Sequence, residues 1–308
     1  MAVQTLESQK IKVKCGSILV NDLQASIALY RDVLKQDVVE LNKLSSDTAN
    51  AWGAPRLSNA DTCLLQPKSK AQSYLRLIQS PDIVTPTPHA TTFGWCAFEI
   101  NVADVFALAE SLSDSGFKVV GPPKRLDNIA NVIPMQVVGP DQEVLFLNQV
   151  LASDSHTDLP IAKCEVDRIF IAILASKDRE GSVNEYVEQL VCQESATHQL
   201  RYSLINRAFG LDAQTKHRLT LVQDARNPII EVDQYPIGAT PRPTIEGNLS
   251  HGNTMVSVMV NDLGALPLNN KLSDEPIRAK GHLYNGCRSI VVRGSSGELL
   301  ELIEAGRG

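Results

Sequence analysis

At 308 residues, with 43% apolar and 21% charged content, the chain has the composition of a soluble globular protein and the length of two domains of roughly 150 residues. A net charge of −6 without a Lys/Arg cluster argues against nucleic acid as a partner, since phosphate binding needs concentrated positive charge. No apolar run approaches the roughly 20 residues of a membrane span, and the polar segment Met1 to Lys12 lacks a signal-peptide core, so a cytoplasmic protein with no membrane partner is expected.

The first predicted strand begins at Cys15 and ends in the turn Asn21-Asp22-Leu23; the helix after it carries Ile27, Tyr30, Val33 and Leu34 at helical spacing. This segment closes on the strand Leu75–Gln79. A polar, proline-bearing connection, Ser80 to His89, leads to a second strand, Trp95–Val102, then an apolar helix-like run to Gly116. A hairpin turn at Gly139–Gln142 precedes the strand Leu145–Gln149. Leu151 to Pro160 is small, polar and closed by proline, as a linker would be. The pattern resumes with the strand Arg168–Leu174, a helix containing Tyr186, and the strand Ile230–Gln234. The next connection, Tyr235 to Gly252, is stiffened by Pro236, Pro241 and Pro243; it reads either as a connector across a sheet edge or as a rim carrying Arg242 toward a ligand. Met255–Leu263, a turn at Gly294–Gly297 and the strand Leu300–Glu304 complete the chain.

These segments are four copies of one unit. The closing strands have their middle residues at Arg76, Phe146, Glu231 and Glu301, spaced 70, 85 and 70 apart. The opening strand with its Val-Asn-Asp-Leu turn recurs 240 positions later, and Gly139, Glu143 and Phe146 correspond to Gly294, Glu298 and Glu301. Each unit reads as βαβββ. The expected organisation is therefore a first domain at 8–150, a linker at 151–162 and a second domain at 163–306. Six widely spaced cysteines, with no Cys-x-x-Cys pair, read as reduced buried thiols rather than a zinc or redox site.

Paired βαβββ modules, an Asn-Asp-Leu turn before a helix, and a closing Gly-x-x-Gly-Glu-Leu-Leu-Glu-Leu-Ile-Glu strand resemble the vicinal oxygen chelate superfamily, which includes glyoxalase I, the extradiol dioxygenases and the bleomycin-resistance proteins. The resemblance spans residues 11–304 and implies an α+β fold of four modules forming two tandem glyoxalase-like domains of cupped sheet. In metal-using members, His or Gln from the opening strands and Glu from the closing strands hold a divalent ion. Carried over within each half, those places hold Cys15, Trp95 (or Ala97), Arg76 and Phe146 in the first cup. In the second they hold Arg168 (or Ile171), Met255, Glu231 and Glu301. No imidazole is among them, so no cofactor is expected, with a divalent metal the less favoured alternative. His251 and His282 are the only nearby substitutes and read as ordinary surface or turn histidines.

Glu231 and Glu301, placed in one cup, would be a catalytic acid/base pair, because two close carboxylates cannot both ionise cheaply. The same pair neutralised by Arg168 would be structural. Arg168, Met255, Arg76, Trp95 and Phe146 are the expected substrate contacts, with Arg76 either an anion anchor or paired to Glu99. Three functions stay open: a small-molecule lyase, isomerase or ring-fission enzyme; a binding protein for an apolar or aromatic metabolite or drug; and a metal dioxygenase or glyoxalase. A homodimer is compatible with each. Nucleotide cradles, Gly-x-Ser-x-Gly elbows and His-Glu-x-x-His are absent.

Overall fold

Each module is set by how its helix N-terminus is satisfied. The computed structural model describes residues 11–125 and 130–306; the N-terminal segment and positions 8–10 of the expected first domain lie outside the described residues. The first module contains β1 (Lys12–Val20), α1 (Leu23–Asp32), β2 (Asp37–Lys43), α2 (Ser46–Ala51), β3 (Asp61–Gln66) and β4 (Tyr74–Gln79). The second contains β5 (Gly94–Val102), α3 (Val105–Ser111), β6 (Lys118–Gly121), β7 (Val132–Val138) and β8 (Val144–Val150). In the third are β9 (Val166–Ser176), α4 (Arg179–Leu190), β10 (Gln193–Glu194), β11 (His198–Leu200), α5 (Ser203–Ala208), β12 (His217–Asp224) and β13 (Asn227–Gln234). The fourth has β14 (Gly252–Val260), β15 (Ser289–Arg293) and β16 (Leu299–Glu304).

Asp22, Asp104, Asp178 and Asp262 follow the four opening strands, and each side chain accepts from a backbone N–H in the turn beyond it. A Gln or Glu at the end of each closing strand, or one residue before it in β8, supplies a second acceptor. Gln79, Gln149, Gln234 and Glu304 accept from the N–H groups of Leu23, Val105, Arg179 and Leu263 at 2.9, 3.2, 3.2 and 3.3 Å. Orphan helix donors must find partners, and here the closing strand provides one every time. This is the physical meaning of the repeated Gln/Glu ending. The fourth module keeps both acceptors but not the helix: Leu263–Ala265 makes a single 3-10 turn. Pro267 blocks continuation, because it has no N–H and forces its predecessor out of the α region. The second strand of this module is likewise reduced to isolated bridges at Lys271 and Ile277.

Within every module the opening strand pairs in parallel with the closing strand. Modules join through their opening strands, antiparallel, and here the structure departs from the pairing expected within halves. β1 pairs with β14, and β5 with β9. The seven-stranded sheet runs β15-β16-β14-β1-β4-β3-β2, and the nine-stranded sheet runs β10-β12-β13-β9-β5-β8-β7-β6, with β11 on β12. The first cup thus combines modules one and four, the second modules two and three. A period-two strand pattern is the same whichever partner its edge finds, so the repeat marks modules and not their pairing.

The main core lies between the two sheets and under the helices, built from Val20, Tyr30, Phe98, Ile100, Tyr186, Val256 and Leu302 among others. Gly16 permits the close approach: a Cβ there would lie 2.6 Å from the Phe98 ring. Two buried Tyr–Glu contacts tie helices to the turns of other modules, Tyr30 to Glu143 at 3.1 Å and Tyr186 to Glu298 at 2.6 Å. Among the described residues no helix is long and apolar enough to cross a membrane.

Burial pushes the Glu143 carboxyl up to about 8 and that of Glu298 up to about 7. An unfolded chain loses these protons near 4.5. Between those values the native state binds more protons than the unfolded one, so stability is full in mild acid and falls as pH rises. Each pH unit separating the two values corresponds to about 1.4 kcal/mol. The unfolding midpoint should therefore drop between about pH 5 and pH 8, and Glu143→Gln with Glu298→Gln should flatten the slope. A midpoint that rises across this range would contradict the buried protonated pairs.

Candidate functional site

Strand register defines four equivalent inward places in each cup. In the first cup Ser17 lies beside Arg76 and Ser257 beside Glu301. In the second, Glu99 lies beside Phe146 and Ile173 beside Glu231. Of the expected residues, the structure brings Arg76 together with Glu301, and Phe146 together with Glu231. It does not bring Glu231 and Glu301 together, because they belong to different sheets.

The centre of the first cup is an ion pair. Arg76 donates to Ser17 Oγ (2.9 Å), Tyr284 Oη (2.7 Å) and Glu301 Oε2 (3.2 Å), and its guanidinium lies 4.4 Å from the Trp52 ring. Glu301 also accepts from Ser257 (2.6 Å), Tyr284 (2.8 Å) and, more weakly, Trp52 Nε1 (3.4 Å). It is 0% exposed. Apolar clusters close both ends of this band: Trp52, Leu57, Leu249 and Met255 on one side, Cys15, Tyr74, Leu283 and Tyr284 on the other. With both carboxylate oxygens bonded within the protein, Glu301 is arranged to neutralise Arg76. Met255 lines the Trp52 end. Cys15 is a buried thiol pushed up to about 11 by desolvation, far from the range of a reactive thiolate.

Two other expected residues lie elsewhere. A register irregularity between Trp95 and Ala97 turns the Trp95 indole out of the cup and into the core between the sheets. There its Nε1 donates to the Leu299 carbonyl at 2.7 Å, beside Tyr186. Arg168 sits toward the start of β9 with Asp167 at 3.7 Å and pairs with neither glutamate. His251 bonds Ser80 Oγ and His282 bonds Tyr74 Oη, so neither reaches Glu301.

The second cup carries uncompensated acids. Glu99, Glu231 and Asp233 are buried together, and among the described residues no cation forms an ion pair with any of them. Glu99 accepts from Asn148 Nδ2 at 2.6 Å, and Glu231 from Tyr202 Oη at 2.6 Å. Desolvation raises all three; mutual repulsion adds to the rise for Glu99 and Asp233, which stand well above ordinary carboxyls. Glu231, relieved by the Tyr202 and Asp233 hydrogen bonds, is pushed up to only about 7. Asp233 Oδ1 and Asn148 Oδ1 have no partner. Phe146, Ala97, Ile173 and Ile205 form the apolar half, with the Phe146 and Tyr202 rings 6.4 Å apart. Tyr202 and α5 cover this cup, and Arg207 anchors the cover to the Val120 carbonyl.

Some of these residues carried a signal in the sequence. Ser17 and Ser257 lie two positions after Cys15 and Met255, on the same strand faces, and Asp233 lies two after Glu231. Trp52, Tyr202 and Tyr284 come from connections whose course no periodicity fixes.

No family model matches the sequence, and no curated protein matches it significantly. Solved structures do. Glyoxalase I from Zea mays superposes with a TM-score of 0.59 over 96% of this chain and 93% of that one, at 15% identity. A proposed dioxygenase from Bacillus subtilis subsp. subtilis str. 168 gives 0.56 over 96% and 86%, at 11% identity. The chain has the vicinal oxygen chelate fold. The metal that this fold family implies needs four donors, usually including imidazole, and neither set supplies them. The first cup offers Ser17, Arg76, Ser257 and Glu301, with a guanidinium where a cation would sit; the second offers two carboxyls beside Phe146 and Ile173. Among the described residues no group of three or more His, Cys, Asp or Glu side chains is placed to hold a metal ion.

Removing one partner of a buried ion pair strands the other charge, at a cost of about 3–5 kcal/mol. Arg76→Met should therefore destabilise by about that amount in denaturant unfolding, and Arg76→Met with Glu301→Met should regain most of it. A single-variant loss below about 1 kcal/mol would be the value of an exposed pair and would refute the closed network.

Proposed function

We propose that the protein is a small-molecule enzyme of the lyase or isomerase class that works without a metal, by carboxyl acid–base chemistry in the second cup. The observation that carries this reading is the cluster of Glu99, Glu231 and Asp233, buried together with no ion-pair partner among the described residues. Glu231, pushed up to about 7, is half ionised near neutrality and suits a general base. Glu99, raised well above the ordinary carboxyl value by burial and by the neighbouring Glu231, suits a general acid. Glu231 takes a proton from a carbon next to a carbonyl, while Glu99 gives its proton to the carbonyl oxygen. Where the enol so formed is conjugated with a further double bond, Glu231 delivers its proton to the far carbon while Glu99 takes back the hydroxyl proton, which restores the carbonyl and completes an isomerisation. Phe146 and Tyr202 provide an apolar wall, and the α5 cover excludes water once a substrate is inside.

This places the acid–base pair at Glu231 and Glu99 instead of Glu231 and Glu301, and assigns Arg76 to structure. A second reading, a binding protein for an apolar or aromatic metabolite, is favoured by the Phe146–Tyr202 ring pair and the apolar half of the same cup.

Solvent-deuterium exchange into a panel of small carbonyl compounds, read by mass spectrometry, separates the two. The wild type should catalyse exchange, rising with pH through about 7. Glu231→Gln should lower it by about 10²–10⁴-fold, and Tyr202→Phe should move the pH limb upward, because its hydrogen bond favours ionised Glu231. Full exchange by Glu231→Gln sinks the acid–base assignment, and an absence of exchange from every compound leaves the binding reading.

A further inference from the structure

We propose that a second ligand site lies outside both cups, in a cleft of about 170 Å³ where the two sheets meet, and that it takes a small carboxylic acid with a flat apolar body. Trp52, Trp95 and Leu249 supply apolar wall, and Arg242, Thr254 and Glu298 supply polar groups, with the exposed Arg293 also on the lining. Two of those polar groups present buried atoms with no partner, Arg242 Nη2 and Thr254 Oγ1, while Glu298 is held by the Tyr186 hydroxyl and the Ser296 N–H. Thr254 and Glu298 are 4% and 3% exposed. Buried polar atoms without partners are uncommon in folded proteins, and here two belong to residues that line one hollow.

Arg242 is held in place by the rest of its guanidinium. Its Nε donates to Thr92 Oγ1 at 3.0 Å and its Nη1 to the Asn253 carbonyl at 2.8 Å. Among the described residues no carboxylate forms an ion pair with it, so its remaining donor and its charge are available to an anion. Glu298, pushed up to about 7 by burial, carries a proton in mild acid and can bond a ligand oxygen.

The internal repeat provides a control. Beside Glu143, the counterpart of Glu298, the same space is closed. There His89 packs against Gly252 with its ring nitrogens bonded to Asn253 and the His251 carbonyl. Gly252 has a φ of +70°, and an added Cβ would lie 2.4 Å from the imidazole. At the matching start of β5, Gly94 faces Arg242 instead of a histidine, and the hollow stays open. A cavity of about 150 Å³ accommodates a benzene ring, so the size suits a benzoate-like acid better than a bare ion. A lone phosphate would leave both indole walls unused.

Titration with sodium benzoate, benzyl alcohol and sodium acetate, followed by indole N–H shifts in nuclear magnetic resonance, tests the site. Benzoate should saturate and shift the Trp95 and Trp52 signals, with affinity at least tenfold above either other compound. Thr254→Val, which keeps shape and removes only an unpartnered hydroxyl, should weaken benzoate by several-fold; Arg242→Met should abolish binding. Benzoate binding equal to that of benzyl alcohol would remove the role of charge, and binding equal to that of acetate would remove the role of the indoles. Unchanged affinity in Thr254→Val, or no saturation by about 10 mM, overturns the site even if Arg242→Met fails to fold. The result is independent of Glu231, so its failure leaves the second cup's chemistry untouched.

Discussion

The interaction on which the rest of the structure depends is the bond that a Gln or Glu side chain at the end of each closing strand accepts from the first N–H of the helical turn after the opening strand. A helix end leaves donors that must be satisfied, and an Asp at the N-cap satisfies only part of them. By reaching across from the adjacent parallel strand, Gln79, Gln149, Gln234 and Glu304 fix the axial register of opening and closing strands. That register decides which inward residues stand side by side. A slip of one residue would send Arg76, Phe146, Glu231 and Glu301 to the core face and bring apolar neighbours into the cups. The fourth module shows that the lock is more durable than the helix, since Glu304 and Asp262 remain although Pro267 has reduced the helix to one turn.

With register fixed, the two cups diverge through charge. In the first, a buried guanidinium and a buried carboxylate neutralise each other, with Ser17, Ser257, Tyr284 and Trp52 completing their bonds. Such a pair stabilises little relative to an apolar filling, but it is costly to break, and it turns a cup into a plug. In the second, Phe146 stands where Arg76 stands in the first, so Glu231 has no counter-cation. Desolvation then meets hydrogen bonds but no counter-charge, and protons rather than a basic side chain neutralise the acids. Three of the four inward places differ between the cups, and the exchange of Arg76 for Phe146 is the one that removes the counter-cation.

Much of the fold was legible in the sequence. The closing strands, the Asn-Asp turns, the α+β class and the two equivalent hairpin turns are local features, written in side-chain periodicity and capping chemistry. The partner of each opening strand was not legible, since a strand edge carries no address beyond its alternation. Nor was the position of Trp95: a register irregularity of one residue exchanges the two faces of a strand and leaves no mark in composition. The cup covers from Trp52, Tyr202 and Tyr284 lie on connections, where sequence spacing does not fix direction. The candidate site was legible as positions, Glu231 and Phe146 included, and illegible as a constellation, because Glu99 and Asp233 gain their meaning only from which modules meet.

Duplication leaves pairs of equivalent places, and comparing them separates packing from function better than either place alone. Tyr30 with Glu143 and Tyr186 with Glu298 are the same buried contact, so that contact belongs to the fold. What differs around it does not. The Glu143 copy is sealed by a histidine resting on a glycine, whereas the Glu298 copy opens on a cleft lined by a guanidinium with a free donor and a hydroxyl without a partner. A protein gains nothing in stability from two unsatisfied buried groups facing one hollow, since each costs about 1–3 kcal/mol when left unmade. The sealed copy demonstrates that this same framework can close the space with ordinary side chains. The open copy therefore marks the end of the molecule where a ligand, and not the fold, completes the hydrogen bonding.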